Sequence, residues 1–315
     1  MSKFHKYIIL LSLFMIITLF YFCTQVKAEI ILSIIDPAGD DYGTGNYTYP
    51  QADVFQKGKG LFDITAFNII EETSKYEFQL KFNELIDVWD STFGFSLPLI
   101  EIYIDNAKGG SFELFSEGAN VKLNPAYCWN KLLKINGWWV SLNVPNDKSS
   151  DLIDLIIAED DLPWIIKNPE IEVKDNWIKL KVDKEKIGSL DGSYLYIMVG
   201  GFDPFGYNYY RGVKNGVDHW FFNLEGEKNT ELAPRVIDLI VPPEYNQYKL
   251  LSRYENDYPQ IEPVYVKRTE QKTEQVEQDY YTYFAFFVLL FVLVNLMLNI
   301  IKRRFGVKED DKEKE

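Results

Sequence analysis

The sequence predicts an all-β fold, an antiparallel β-sandwich followed by one C-terminal transmembrane helix. Three observations carry that prediction. Short segments alternate apolar and polar residues with period two, as half-buried strands do. Turn signals separate them at Thr73-Ser74, Asn136-Gly137 and Asp175-Asn176. Near the C-terminus one apolar run, YTYFAFFVLLFVLVNLMLNII at 281–301, is long enough to cross a bilayer.

The elements follow in order. FDITAFNIIEE and KYEFQLKFNEL each alternate, so each buries one face. LIEIYIDN alternates again, and Lys108-Gly109-Gly110 turns the chain into a further short strand, SFELF. KLLKI and WWVSLNV flank Asn136-Gly137, which predicts a two-residue hairpin. IEVKD and WIKLKVD flank Asp175-Asn176 in the same manner. DKEKIGSL suits a short helical turn. SYLYIMVGGFD is almost continuously apolar, which predicts a strand buried on both faces. DLIDLIIAEDDLPWI, 151–165, fits strand or helix. VIDLIVPP closes the predicted domain at Pro243.

Both ends carry membrane signals. Basic residues, an apolar run from Tyr7 to Cys23, and small residues at Val26 and Ala28 make 1–28 a predicted signal peptide. The 281–301 run spans roughly 30 Å as a helix. Lys302, Arg303 and Arg304 follow it and predict a cytoplasmic tail, 302–315. The expected organisation is a type I protein of the cell membrane. It has an extracellular sandwich at 29–243, a polar stalk at 244–280, the span, and the tail.

The formal net charge is −14, and the segment between the two apolar runs is more acidic still. Such a surface disfavours nucleic acid and anionic lipid as partners. After removal of the signal only Cys128 would remain, so no internal disulfide is available and the domain must rely on a core. Aromatic residues, 16% of the chain, are abundant enough to build one.

Several stretches together resemble a known family. They are DPAGDDYGTGNYTYP, VFQKGKGLFDITAF, FGFSLPLIEIYID, GGFDPFGYNYYRGV and APRVIDLIVPP, in that order from Asp36 to Pro243. They resemble the C-terminal domain of glucodextranase, which is also found on pullulanases. The resemblance implies a DOMON-like β-sandwich of jelly-roll type, akin to some carbohydrate-binding modules. It implies a glucan-associated, non-catalytic role, and here no catalytic domain accompanies it.

The acidic loop at 36–50 offers hard oxygen ligands. Asp36, Asp40 and Asp41 lie close together, Gly39 and Gly43 allow the backbone to fold around an ion, and strand pairing brings Asp63 near. Calcium is the cofactor this chemistry suits; the alternative is that the aspartates bond their own turns. The same loop holds one glycosylation sequon at Asn46.

Aromatic faces stack on sugar rings, so Trp89, Trp220, Tyr207, Tyr209 and Tyr210 are candidate carbohydrate contacts, with Arg211 as a hydrogen-bond donor. Trp138 and Trp139 are further candidates; placed in a strand, they are expected on opposite faces, at least one of them in the core. Catalysis has little support. His219 is the only histidine beyond the signal, which excludes a multi-histidine zinc site. A haem held by Met198 and His219 is disfavoured because Met198 lies in an apolar strand.

The expected function is therefore a membrane-anchored module that binds α-glucan or a related polysaccharide without cleaving it. A glucan hydrolase or sugar transporter would act nearby. A surface-layer or complex-assembly module with a protein partner is the first alternative, and a glycoside hydrolase the second.

Overall fold

The computed structural model describes residues 28–145, 166–226 and 228–267. The expected signal peptide, the ambiguous 151–165 stretch, the membrane span and the tail lie outside the described residues. Among the described residues, no helix is long and apolar enough to cross a membrane.

The described chain is mostly β. One antiparallel sheet has five strands: β1 (Glu29–Ile35), β3 (Ile64–Glu71), β4 (Lys75–Phe82), β10 (Trp177–Asp183) and β9 (Glu170–Lys174), in the order β1-β3-β4-β10-β9. The second has six, on the path β14 (Val236–Ile240), β11 (Tyr194–Gly201), β5 (Pro98–Asp105), β7 (Lys131–Ile135) and β8 (Val140–Asn143). A sixth strand, β16 (Val264–Tyr265), pairs with β11 beside β14. Smaller pairings join β2 (Tyr47–Thr48), β12 (Val213–Asn215) and β13 (Phe222–Leu224), and join β6 (Lys122–Leu123) to β15 (Gln260–Ile261).

Alternation decides which faces meet. In β4 and β10 every second residue is buried: Tyr76, Phe78, Leu80 and Phe82 in one, Ile178, Leu180 and Val182 in the other. These side chains share one core with Ile100, Ile102, Leu133, Ile197 and Ile237 of the other sheet, as the two layers of a sandwich do. The six-stranded sheet is buried on its outer face as well. Leu99, Tyr103, Leu132, Tyr196 and Met198 pack there against Trp129, Phe202, Tyr209 and Leu251. That second core explains why β11 reads as a continuous apolar run, and why β5, whose sequence alternates, is nevertheless buried on both faces.

Turn chemistry was mostly legible. Asp175 and Asn176 both take positive φ, 51° and 63°, so the expected polar turn is a two-residue hairpin between β9 and β10. Lys184–Ile187 forms the expected helical turn, α1. Two expectations fail. SFELF is not a strand; it makes a single bridge, Ser111 to Trp129, and Phe112 is exposed. The β7–β8 loop has four residues, 136–139, because Ile135 pairs with Val140.

The expected stalk is corrected over its first part. Residues 244–267 fold onto the sandwich. Helix α2 (Gln247–Leu251) is capped by Asn246, whose side chain accepts the Lys249 N–H, and Leu250, Leu251, Tyr254, Ile261, Val264 and Val266 are buried. Apolar residues spaced among polar ones hid a packed segment inside a charged composition. The domain therefore continues past Pro243 to at least Val266.

Candidate functional site

The loops at one end of the six-stranded sheet enclose an open cleft of about 830 Å³. Three of them follow from strand pairing. Pro98 at the start of β5 lies opposite Gly201 at the end of β11, and Ile100 opposite Ile135 at the end of β7. The segments before β5, after β7 and after β11 must therefore converge. They bring Trp89, then Trp138 and Trp139, then Phe202, Phe205 and Tyr209 to the cleft, and Trp220 closes it from the β12–β13 connection.

The four-residue turn puts both adjacent tryptophans on the same side. Asn136 Oδ1 accepts the backbone N–H groups of Trp138 (2.8 Å) and Trp139 (3.0 Å), bending the chain so that strand alternation never applies to them. Gly137 is needed for close approach: a Cβ there would lie 1.8 Å from the Phe95 carbonyl oxygen. The expectation of opposite faces is thus overturned, and both indoles line the cleft.

The rings form a nearly parallel run. Trp89 and Trp138 are 6.5 Å apart at 25°, Trp138 and Phe202 5.0 Å apart at 32°, and Phe202 and Tyr209 6.1 Å apart at 15°. Trp220 is 49% exposed and Phe205 91% exposed, so neither ring owes its position to burial. Trp220 rests edge-on against Phe55 at 6.2 Å, and its backbone N–H donates to Asp218 Oδ1 at 2.7 Å.

The tyrosine loop divides. Tyr209 lines the cleft and takes φ 68°, an uncommon left-handed conformation for a bulky residue, directly after Asn208 at φ 51°. Lys134 fixes this turn from below. Its Nζ donates to the Asn208 carbonyl (3.2 Å) and to Ser116 Oγ (2.6 Å), and pairs with buried Glu101 at 2.8 Å. Tyr209 Oη has no hydrogen-bond partner, and burial pushes its pKa up to about 12, so it stays a donor. Tyr210 is fully buried and cannot stack on a ligand. Tyr207 is exposed outside the cleft, with its hydroxyl donating to Glu117 at 2.7 Å.

Arg211 also departs from expectation. It lies in the cleft wall but is 3% exposed, and it donates to the backbone carbonyls of Trp220 (2.7 Å) and Phe202 (2.6 Å) with its guanidinium 4.9 Å over Phe55. It ties two cleft loops together instead of offering its fork to a ligand. Of the candidate carbohydrate contacts, Trp89 and Trp220 line the cleft. Asp203 is the only acid among the described residues that line the cleft. Met198 is buried in β11 while His219 is exposed.

The acidic residues form a separate pocket. Asp36, Asp40 and Asp238 each offer a carboxylate oxygen within 4.8 Å of the others. Asp238 was missed. It occupies the middle of an otherwise apolar, wholly buried strand, which was the available signal. A bulge in β14 leaves Asp238 opposite Val199, whose side chain faces the core between the sheets. Asp238 Oδ2 then accepts the Ile64 N–H at 2.6 Å, across on the other sheet. Asp63 Oδ2 accepts the Gly39 N–H at 2.8 Å, folding the loop back on β3.

Asp41, also expected as a ligand, is not one of the three, although its buried Oδ1 is likewise unpartnered. Its Oδ2 accepts the Tyr49 hydroxyl and the Phe62 N–H, and burial raises its pKa. Burial and mutual repulsion push Asp36 up to about 8, and burial is the main cause that lifts Asp40 and Asp63 each to about 6. Two unit charges about 4 Å apart repel by about 4 kcal/mol at an effective dielectric near 20. Three carboxylates so placed would strain a domain whose whole stability is on the order of 10 kcal/mol. Asn46 is half-buried, and its Nδ2 donates to the Glu225 carbonyl at 3.3 Å.

No match was found among curated proteins. A family profile described as the C-terminal binding module, SLH-like, of glucodextranase matches residues 31–266, from β1 to just past β16. The match covers most of the chain and every strand described above, and the protein therefore belongs to the glucodextranase C-terminal binding-module family.

Proposed function

We propose that the aromatic cleft binds an α-glucan or related polysaccharide and does not cleave it. The observation that carries this reading is the run of near-parallel rings from Trp89 through Trp138 and Phe202 to Tyr209, faced by exposed Trp220 and Phe205. Sugar rings present flat C–H faces that stack on such surfaces. A glycosidase needs two carboxyl groups facing across the bond it breaks. The lone Asp203 in the cleft supports a binding role. The fold that fits this role is the DOMON-like sandwich.

The tether completes the proposal. Residues 1–28 export the domain, and residues 281–301 hold it at the membrane with the tail inside. Holding polysaccharide there raises its effective concentration for a neighbouring hydrolase or sugar transporter. The words SLH-like in the family description favour one second reading, a surface-layer or assembly module with a protein partner. Affinity electrophoresis of the full-length chain through gels containing pullulan, dextran or maltodextrin separates the two. Retardation by one of them supports carbohydrate binding. Unretarded migration in all three, with sugar-insensitive capture of a surface-layer protein, supports the second reading.

A further inference from the structure

We propose that Asp36, Asp40 and Asp238, with Asp63 beside them, form a site for one calcium ion that clamps the two sheets of the domain together. The proposal is independent of what the cleft binds. Three observations carry it.

The first is geometry. Calcium holds its oxygen ligands at 2.3–2.6 Å, so ligands on one ion lie no more than about 5 Å apart. The oxygens of Asp36, Asp40 and Asp238 lie within 4.8 Å of one another. The second is unmet valence. Asp36 Oδ2 and Asp63 Oδ1 have no hydrogen-bond partner, although Asp36 is 7% exposed and Asp63 fully buried. Asp40 Oδ1 is likewise without a partner. Buried carboxylate oxygens are rarely left so. The third is missing countercharge. Among the described residues, no lysine or arginine forms an ion pair with any of the four. Elsewhere in this molecule a buried carboxylate, Glu101, has its lysine at 2.8 Å.

The four residues come from places that folding must bring together. Asp36 directly follows β1 and Asp63 directly precedes β3, both in the five-stranded sheet, while Asp238 lies within β14 of the other sheet. Asp40 belongs to the loop between, whose backbone carbonyl accepts from Gln247 of α2 at 2.6 Å. One ion would thus tie the loop to both sheets and sit beside the α2 segment that continues the domain past Pro243.

The test uses the full-length chain stripped with a chelator and titrated with calcium chloride in a calorimeter. The expected result is one equivalent bound, and a melting temperature raised by about 5 °C or more at saturating calcium. Asp40→Asn, at a half-buried loop position that leaves the strands intact, is expected to weaken binding at least tenfold. No stoichiometric binding, with melting unmoved by millimolar calcium, would overturn the site. So would unchanged binding in both Asp40→Asn and Asp36→Asn. Equal binding and stabilisation by magnesium chloride would overturn the calcium assignment.

Discussion

The aromatic cleft and the acidic pocket are built on opposite principles. The cleft is open, and two of its rings, Phe205 and Trp220, stand in solvent, while Phe202 and Tyr209 are packed into the second core. The buried cation beneath it, Lys134, is engaged by Glu101, Ser116 and the Asn208 carbonyl. The acidic cluster is largely buried, and its side chains are acids left without countercharge among the described residues. A site that reads shape can be assembled from loops over a neutral scaffold. A site that reads charge must bury that charge, and so it concentrates destabilisation that its ligand then relieves.

The strongest way to break this contrast is to unpair the charge beneath the cleft. Lys134→Met leaves Glu101 buried and alone, and is expected to cost about 3–5 kcal/mol in urea unfolding. A loss under about 1 kcal/mol would mean that the network does not hold the Asn208–Tyr209 turn. Next come the rings. Trp138→Ala and Trp220→Ala are each expected to lower polysaccharide affinity by about 10–30-fold, roughly 2 kcal/mol. Because Trp220 is half-exposed, its variant is expected to melt close to the parent, which thermal scans check.

The pocket predicts an inversion of sign. Asp238→Asn removes one of several neighbouring negative charges but keeps an acceptor for Ile64. In chelator it is expected to stabilise the chain by on the order of 1 kcal/mol, and in calcium to destabilise it by a similar amount. Melting in both media tests this, and the same sign in both would contradict the contrast. The smallest effects separate inside from outside the cleft. Phe205→Ala is expected to leave stability within about 0.5 kcal/mol while weakening binding by about fivefold. Tyr207→Phe, whose hydroxyl meets only Glu117, is expected to leave affinity unchanged.

How far the sequence could be read differs between these regions for physical reasons. Alternation in β4 and β10 identified the inner face of one sheet, because period two is a local property. The resemblance of five ordered stretches identified the family, although the domain runs past their end at Pro243 to at least Val266. The cleft was half legible. Trp89 and Trp220 do line it, but Tyr210 and Arg211 are buried, and adjacency to an exposed residue could not reveal that. Trp138 and Trp139 were misread because two residues of turn were assumed where the register requires four. In the pocket, Asp36 and Asp40 were visible as neighbours in one loop. Asp238 comes nearly two hundred residues later, and only strand pairing brings it there. The stalk was misplaced because composition averages over a window, whereas Leu250, Leu251 and Tyr254 act one side chain at a time.

The most direct test of the central claim is a tryptophan fluorescence titration of the full-length chain with a linear maltodextrin. Rings that stack on sugar change their emission, so a saturable shift is expected in the parent. The shift should be diminished in Trp220→Ala and in Trp138→Ala. Emission that stays constant through millimolar maltodextrin, pullulan and dextran alike would contradict the account.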